Sequence, residues 1–116
     1  MPMTPSKALA EFHSKFGVPK ASPAEGMTLR KLMISEEAKE VEEAEEYAHL
    51  LKELADLVYV CYAMADVFDW DLDEAFRRVH ESNMSKLDEN GKPIYREDGK
   101  VLKGPNYKAP DLGDLV

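Results

Sequence analysis

Five acids stand at spacings that place them on helix faces which are otherwise apolar. Glu36, Glu37 and Glu40 belong to one stretch, and Glu53 and Asp56 belong to the next. Each residue of a helix turns about 100° around the axis, so with Glu36 at zero Glu40 falls near 40° and Glu37 near 100°. Leu29, Met33, Ala44 and Tyr47 occupy roughly that same arc. Glu53 and Asp56 are about 60° apart by the same count and share their face with Val60 and Met64. Carboxylates on a buried side are costly to desolvate and repel one another at close range. They demand positive charge, and Lys39 and Lys52, the nearest lysines in sequence, are expected to project away from both arcs. A divalent cation is the simplest counter-charge. All-oxygen ligation selects a hard ion, Mg²⁺ or Mn²⁺ with Ca²⁺ also eligible, over zinc. A looped Ca²⁺ site lacks its spaced Asp/Asn-Gly segment, and a carboxylate-bridged di-iron centre lacks its second Glu-x-x-His, since only Glu46 to His49 has that spacing. The competing reading is an ordinary solvated flank, which is also the simplest account of Glu42, Glu45 and Glu46.

The elements that must carry these acids read as four helices. Thr4 as N-cap, Pro5 in the first turn, Leu9, Phe12 and Phe16 at helical spacing and Gly17 as the stop define the first. Pro19 and Pro23 mark a connector. A second helix is expected from about Thr28 to Tyr47 and a third from about His49 to Phe68, so apolar from Leu54 to Val67 that most of its circumference requires cover. Asp71 with Glu74 resembles a capping box opening a fourth helix to about Leu87, with Leu72, Phe76 and Val79 facing inward. In the tail, Ile94-Tyr95 and Val101-Leu102 flank an Asp98-Gly99 turn signal, predicting a small β-hairpin followed by an extended end. The fold class is therefore all-α, a four-helix bundle-like subunit with a C-terminal hairpin and tail. Residues 1–116 form one domain, with 1–87 as helical body and 88–116 as hairpin and tail.

The chain has 116 residues, 44% hydrophobic and 33% charged, which suits one domain with its own core. Its net charge of −8 opposes any role that rests on broad attraction to nucleic acid polymers or anionic membranes. Cys61 has no cysteine partner, and no secretory signal or long apolar run is present, so a reducing, cytoplasmic compartment is expected. Cys61, Tyr59, Tyr62 and Trp70 read first as packing or interface residues. Arg77 and Arg78 fall off the apolar stripe of the fourth helix, where solvent or a subunit interface suits them.

Glu36-Glu37-x-x-Glu40, twelve intervening residues and Glu53-x-x-Asp56 resemble the E-E-x-x-E and E-x-x-D signature of MazG-like all-α nucleoside triphosphate pyrophosphohydrolases. The resemblance covers about Leu29 to Leu87, with one copy of the motif, as in small phage-type and bacterial members. It implies hydrolysis of nucleoside or deoxynucleoside triphosphates between the α- and β-phosphates, dependence on Mg²⁺, and assembly as homodimers or dimers of dimers. For a phage-encoded member the compartment is the host cytoplasm. Carried over by position, Glu37, Glu40, Glu53 and Asp56 are the principal metal ligands. Glu36 is a further ligand or the acceptor of the attacking water's proton. Two or three Mg²⁺ ions per site, replaceable by Mn²⁺, fit the charge arithmetic, because a triphosphate meets an acidic protein only through bridging cations.

Asn83 and Lys86 extend the inward stripe of the fourth helix by the same angular count, so Lys86 is a candidate for a phosphate and Asn83 for a sugar, base or bound water. Lys103, Tyr107 and Lys108 sit among Gly and Pro, where a loop is able to fold over phosphates; a plain flexible end is the alternative. Guanine-directed hydrolysis of dGTP or GTP is one expectation and broad house-cleaning another. Rival readings are a dUTP-type or phosphoribosyl-ATP-type pyrophosphohydrolase, and a non-enzymatic acidic helical module that recruits a partner through its third helix.

Overall fold

A computed structural model describes residues 3–116. They form four helices, α1 (Pro5–Lys15), α2 (Pro23–Glu43), α3 (Tyr47–Val67) and α4 (Leu72–Met84). A two-stranded antiparallel sheet follows, β1 (Ile94–Tyr95) with β2 (Val101–Leu102), and then a 3₁₀ turn at Gly113–Leu115. The all-α class with a short hairpin holds as expected. No helix among the described residues is long and apolar enough to cross a membrane. The residues group into two compact units that meet in sequence at Leu72 and Asp73.

In the first unit α3 packs against both α1 and α2. Thr4 caps α1 by accepting from the Lys7 amide at 3.3 Å, Pro5 fills the first turn, and the chain leaves through Gly17 at φ 66°, the left-handed region that glycine enters freely. Leu9 of α1 is 1% exposed and is the most fully buried large side chain. His13 is buried one turn on, with Nδ1 2.6 Å from Asp66 Oδ2. Lys20 donates to the Asp66 carbonyl at 2.7 Å and to its carboxylate at 3.2 Å, and the Ala21 amide donates to the Val67 carbonyl at 3.0 Å. The connector thereby satisfies carbonyls left open at the end of α3. Trp70 packs edge-on against Phe68 at 5.0 Å.

Two boundaries differ from expectation. The second helix starts at Pro23 instead of about Thr28, because Pro23 follows Ser22 as a first-turn proline and extends the helix through the presumed connector. It ends at Glu43 instead of Tyr47, with Ala44 extended at φ −71° and ψ 126°. Its last turn carries no basic residue, so the acids from Glu42 to Glu46 face the negative end of the helix dipole and favour a break there. Glu46, Tyr47 and His49 accordingly open α3 and do not close α2.

The second unit holds α4, the hairpin and the tail. Ile94 pairs with Leu102 and Tyr95 with Val101 around a turn in which Gly99 takes φ 88°. The tail is clasped to α4. Ser82 Oγ donates to the Lys108 carbonyl at 2.7 Å, and the Lys108 amide donates to Ser85 Oγ at 3.0 Å. Arg78 reaches the Asp111 carbonyl at 3.0 Å and both oxygens of Asp114 at 2.5 and 3.0 Å while also pairing with Glu74. Arg78 is thus an anchor for the tail and not a solvent residue, a role invisible without the distant partners. The two arginines beside it hold Glu74 down to about 2.

The fourth helix stops at Met84, short of Leu87, so the angular count that aimed Lys86 inward does not apply to it. Phe76 is 69% exposed and Val79 also keeps open surface, against the expectation that both face inward. The apolar stripe of α3 is likewise less covered than expected, with Leu51, Leu54 and Val58 exposed.

Gly104 lies flat on the end of this helix. A Cβ there would come within 2.5 Å of the Lys86 carbonyl oxygen and 2.7 Å of that of Leu87, both backbone atoms with little room to yield. Gly104→Ala is expected to lift the segment from Lys103 to Lys108 off α4 and to cost about 1–3 kcal/mol, as overpacking does. Hydrogen exchange at the Lys108 amide is the check, and unchanged protection would contradict the packing.

Candidate metal centre

The break after α2 is short, and it returns α3 along α2 so that acids from both helices meet. Glu37 and Glu40 come from α2 at a spacing of three, and Glu53 and Asp56 come from α3 at the same spacing. Residues three apart share a helix face, so each helix presents one pair. One oxygen from each of the four carboxylates lies within 4.8 Å of all the others. Glu53 is 2% exposed and forms the floor, Glu37 and Asp56 are half-buried, and Glu40 is exposed at the rim.

Two nitrogen-bearing side chains reach this group among the described residues. His49 Nε2 lies 3.0 Å from Glu53 Oε1, and Lys52 Nζ lies 2.7 Å from Asp56 Oδ2 and 3.3 Å from Glu53 Oε1. The expectation that Lys52 projects away is therefore corrected. A wheel plots where the Cβ points, whereas a lysine stem is long enough to lean around the helix and carry its ammonium to an acid one turn on. Lys39 does stay away, paired with Glu43 at 3.8 Å. His49 and Lys52 each stand four residues before a cluster acid, and that spacing was the available signal for both.

The electrostatics retain a deficit of positive charge. The Glu53 and Glu37 carboxyls beside Glu40 push it up to about 7, so near neutral pH the metal-free group shares a proton at the rim. Burial acts to raise Glu53, but the Glu40 proton and the Lys52 ammonium outweigh it and hold Glu53 below the usual range. Lys52 is held above the ordinary lysine range by Asp56 and Glu53. Two buried oxygens, Glu37 Oε2 and Glu53 Oε2, have no hydrogen-bond partner among the described residues. Buried polar atoms are rarely left so, and four convergent carboxylates with two unsatisfied oxygens suit a hard divalent cation with oxygen ligands.

The expected site residues divide as follows. Glu37, Glu40, Glu53 and Asp56 come together, whereas Glu36 is exposed and is not one of the four. In the second unit Asn83 is exposed near the end of α4, and Lys86 follows the helix beside Gly104. Lys103 Nζ sits 4.7 Å from the Tyr107 ring centroid, and Lys108 is fixed through its backbone to Ser82 and Ser85. Docking of the tail thus gathers Lys86, Lys103, Tyr107 and Lys108 at one end of α4. Cys61 is half-buried, and its surroundings push the thiol up, as befits packing more than reactivity.

Fold and site together define an all-α protein whose central helix pair presents four converging carboxylates. The chain belongs to the phosphoribosyl-ATP pyrophosphohydrolase family, whose sequence profile matches residues 9–83. That span includes all four clustered acids, and it agrees with the MazG-like resemblance of the acidic signature. The family marks the domain as of pyrophosphohydrolase type. The chain is also similar to an uncharacterized protein of Acanthamoeba polyphaga mimivirus, 32% identical over an 87-residue alignment that covers 47% of this chain. The match spans only 35% of that viral protein.

Proposed function

We propose that the chain hydrolyses nucleoside or deoxynucleoside triphosphates between the α- and β-phosphates, releasing a nucleoside monophosphate and pyrophosphate in a Mg²⁺-dependent reaction. The observation that carries this reading is the set of four carboxylates within 4.8 Å, with its unpartnered buried oxygens. Glu37, Glu40, Glu53 and Asp56 hold Mg²⁺, or Mn²⁺ in its place. When bound, such ions polarise phosphoryl oxygens, favour an attacking water and neutralise the leaving pyrophosphate. The chain's net charge of −8 repels a free polyphosphate, so binding depends on that positive charge.

Glu53, on the buried floor, gives the site its rigid reference. Glu40, at the rim, would hold a cation as its carboxylate. Glu36, exposed and outside the cluster, serves in this reading as a further ligand or as acceptor of the attacking water's proton. Within the second unit, Lys86, Lys103 and Lys108 are proposed as cationic groups for a phosphate-bearing ligand, with Asn83 and Tyr107 as polar and aromatic contacts.

Incubation with a panel of triphosphates and Mg²⁺, including dGTP, GTP and dUTP, is expected to yield monophosphate plus pyrophosphate. Release of orthophosphate alone, or no turnover, would sink the assignment. The family's description makes phosphoribosyl-ATP a further member of the panel, and its turnover in preference to triphosphates would reassign the substrate.

A further inference from the structure

A second concave feature lies on the same unit and carries no acid cluster. Between α1 and α3 is a groove of about 350 Å³, walled by Phe12, Phe16 and Tyr59 with Met3 at one end. The Phe12 and Phe16 rings meet edge-on with centroids 4.5 Å apart, and Phe12 meets Tyr59 at 5.7 Å and 88°. These rings are not core. Phe16 is 63% exposed, and Phe12 and Tyr59 also keep open surface. The mouth is polar, because Glu11 and Lys15 stand there as an exposed ion pair at 3.7 Å.

The position of this groove supplies the argument for its occupant. Tyr59 is three residues beyond Asp56 on α3, which is about 4.5 Å along the axis and about 60° around it. One wall of the groove, Tyr59, therefore stands one turn beyond a cluster acid on the same helix. In a nucleotide the ribose separates the α-phosphate from the base, so phosphates held at the cluster leave a planar, aromatic group to be accommodated a short distance on. Exposed ring faces bind such groups by stacking, and a carboxylate and an ammonium at the mouth offer an acceptor and donors to a base edge.

We infer that the groove formed by Phe12, Phe16 and Tyr59 is the subsite for the nucleobase of the nucleotide whose phosphates meet the carboxylate cluster. This rests on the proposed nucleotide reading and adds to it the side chains that hold the base. Base stacking on these rings supplies affinity that is separate from the affinity of the phosphates for the cation-loaded acids.

The test is calorimetric binding of two probes in the presence of Mn²⁺, a non-hydrolysable α,β-imido deoxynucleoside triphosphate and base-free tripolyphosphate. Phe16→Ala is expected to weaken the nucleotide analogue by about tenfold, within the range of base–aromatic stacking, and to leave tripolyphosphate unchanged. Phe16→Tyr, which keeps the ring, retains the analogue's affinity. Phe16 is largely exposed, so the fold should survive, and circular dichroism checks this; Phe12→Leu provides a second variant. Equal affinity of wild type and both ring-deleting variants for the analogue would overturn the subsite, as would an equal loss for both probes. So would a change in particle mass with no change in nucleotide affinity, which would make the groove a contact between copies of the chain. Wild-type turnover with ring-independent binding overturns the subsite alone. Ring-dependent binding without turnover overturns the pyrophosphohydrolase reading alone, and failure of the wild type to bind either probe overturns both.

Discussion

On the proposed metal-dependent reading, Glu53→Gln is expected to lower turnover by about 10³-fold or more with the fold intact, because several kcal/mol of phosphoryl charge stabilisation would then depend on a cation held at this floor. Glu53 is the one clustered acid that is fully buried, and it also contacts His49 and Lys52. A glutamine keeps its size and removes its charge. Wild-type protein at a Mn²⁺ concentration about one hundred times its Kd should gain about 2.7 kcal/mol of stability, and the variant should not. The metal-free proteins differ in a second way. Glu40 at about 7 binds its proton more tightly in the folded state than at its ordinary 4.5 in the unfolded chain. The stability this contributes is full below about 4.5 and is lost as pH rises through about 7. Glu53 is the first cause of that shift, so the variant should show a flatter decline across this window. Thermal melts in chelator and in Mn²⁺ across the same pH range decide both points. A variant with wild-type turnover, or with an undiminished Mn²⁺ shift, would remove the cluster from the proposed reaction.

Leu51→Glu carries the other large expected effect, on assembly. We propose that the exposed stripe of Leu51, Leu54 and Val58 on α3 is covered by a second copy of the chain, as homodimer or dimer of dimers. Leu51 is 69% exposed, and three such residues at helical spacing form a face that water disfavours. Burying each gains about 1.5–3 kcal/mol, and a carboxylate placed there adds a desolvation cost. Together these should weaken association by about 10²-fold or more. Light scattering should give particles of at least twice 13.1 kDa for the wild type and monomers for the variant. Wild-type particles of 13.1 kDa alone would contradict the assembly.

Much of the candidate site could be read from residue types and spacing. A carboxylate every three or four residues on an otherwise apolar arc marks a helix face that must meet compensating charge, and both pairs of the cluster showed that pattern. Thr4, Pro5 and Gly17 bounded α1 because caps and stops act within one turn, where local chemistry dominates. The same locality made the Asp98-Gly99 turn readable. Errors arose where a partner outside the local window decided the outcome. Lys52 was misplaced because angular position says nothing of a long side chain's reach, and Arg78 because its partners at Asp111 and Asp114 are 33 and 36 residues away.

The sequence by itself determined that this is a helical chain with two acidic pairs and a hairpin, since periodicity, capping and turn chemistry are set by neighbours within a few residues. Only the tertiary structure decided that four of the five acids converge, that Glu53 is the buried one, and that Phe12, Phe16 and Tyr59 line a groove. Those facts depend on how α1 and α2 pack on α3, and packing is a sum over residues distant in sequence that no local pattern encodes.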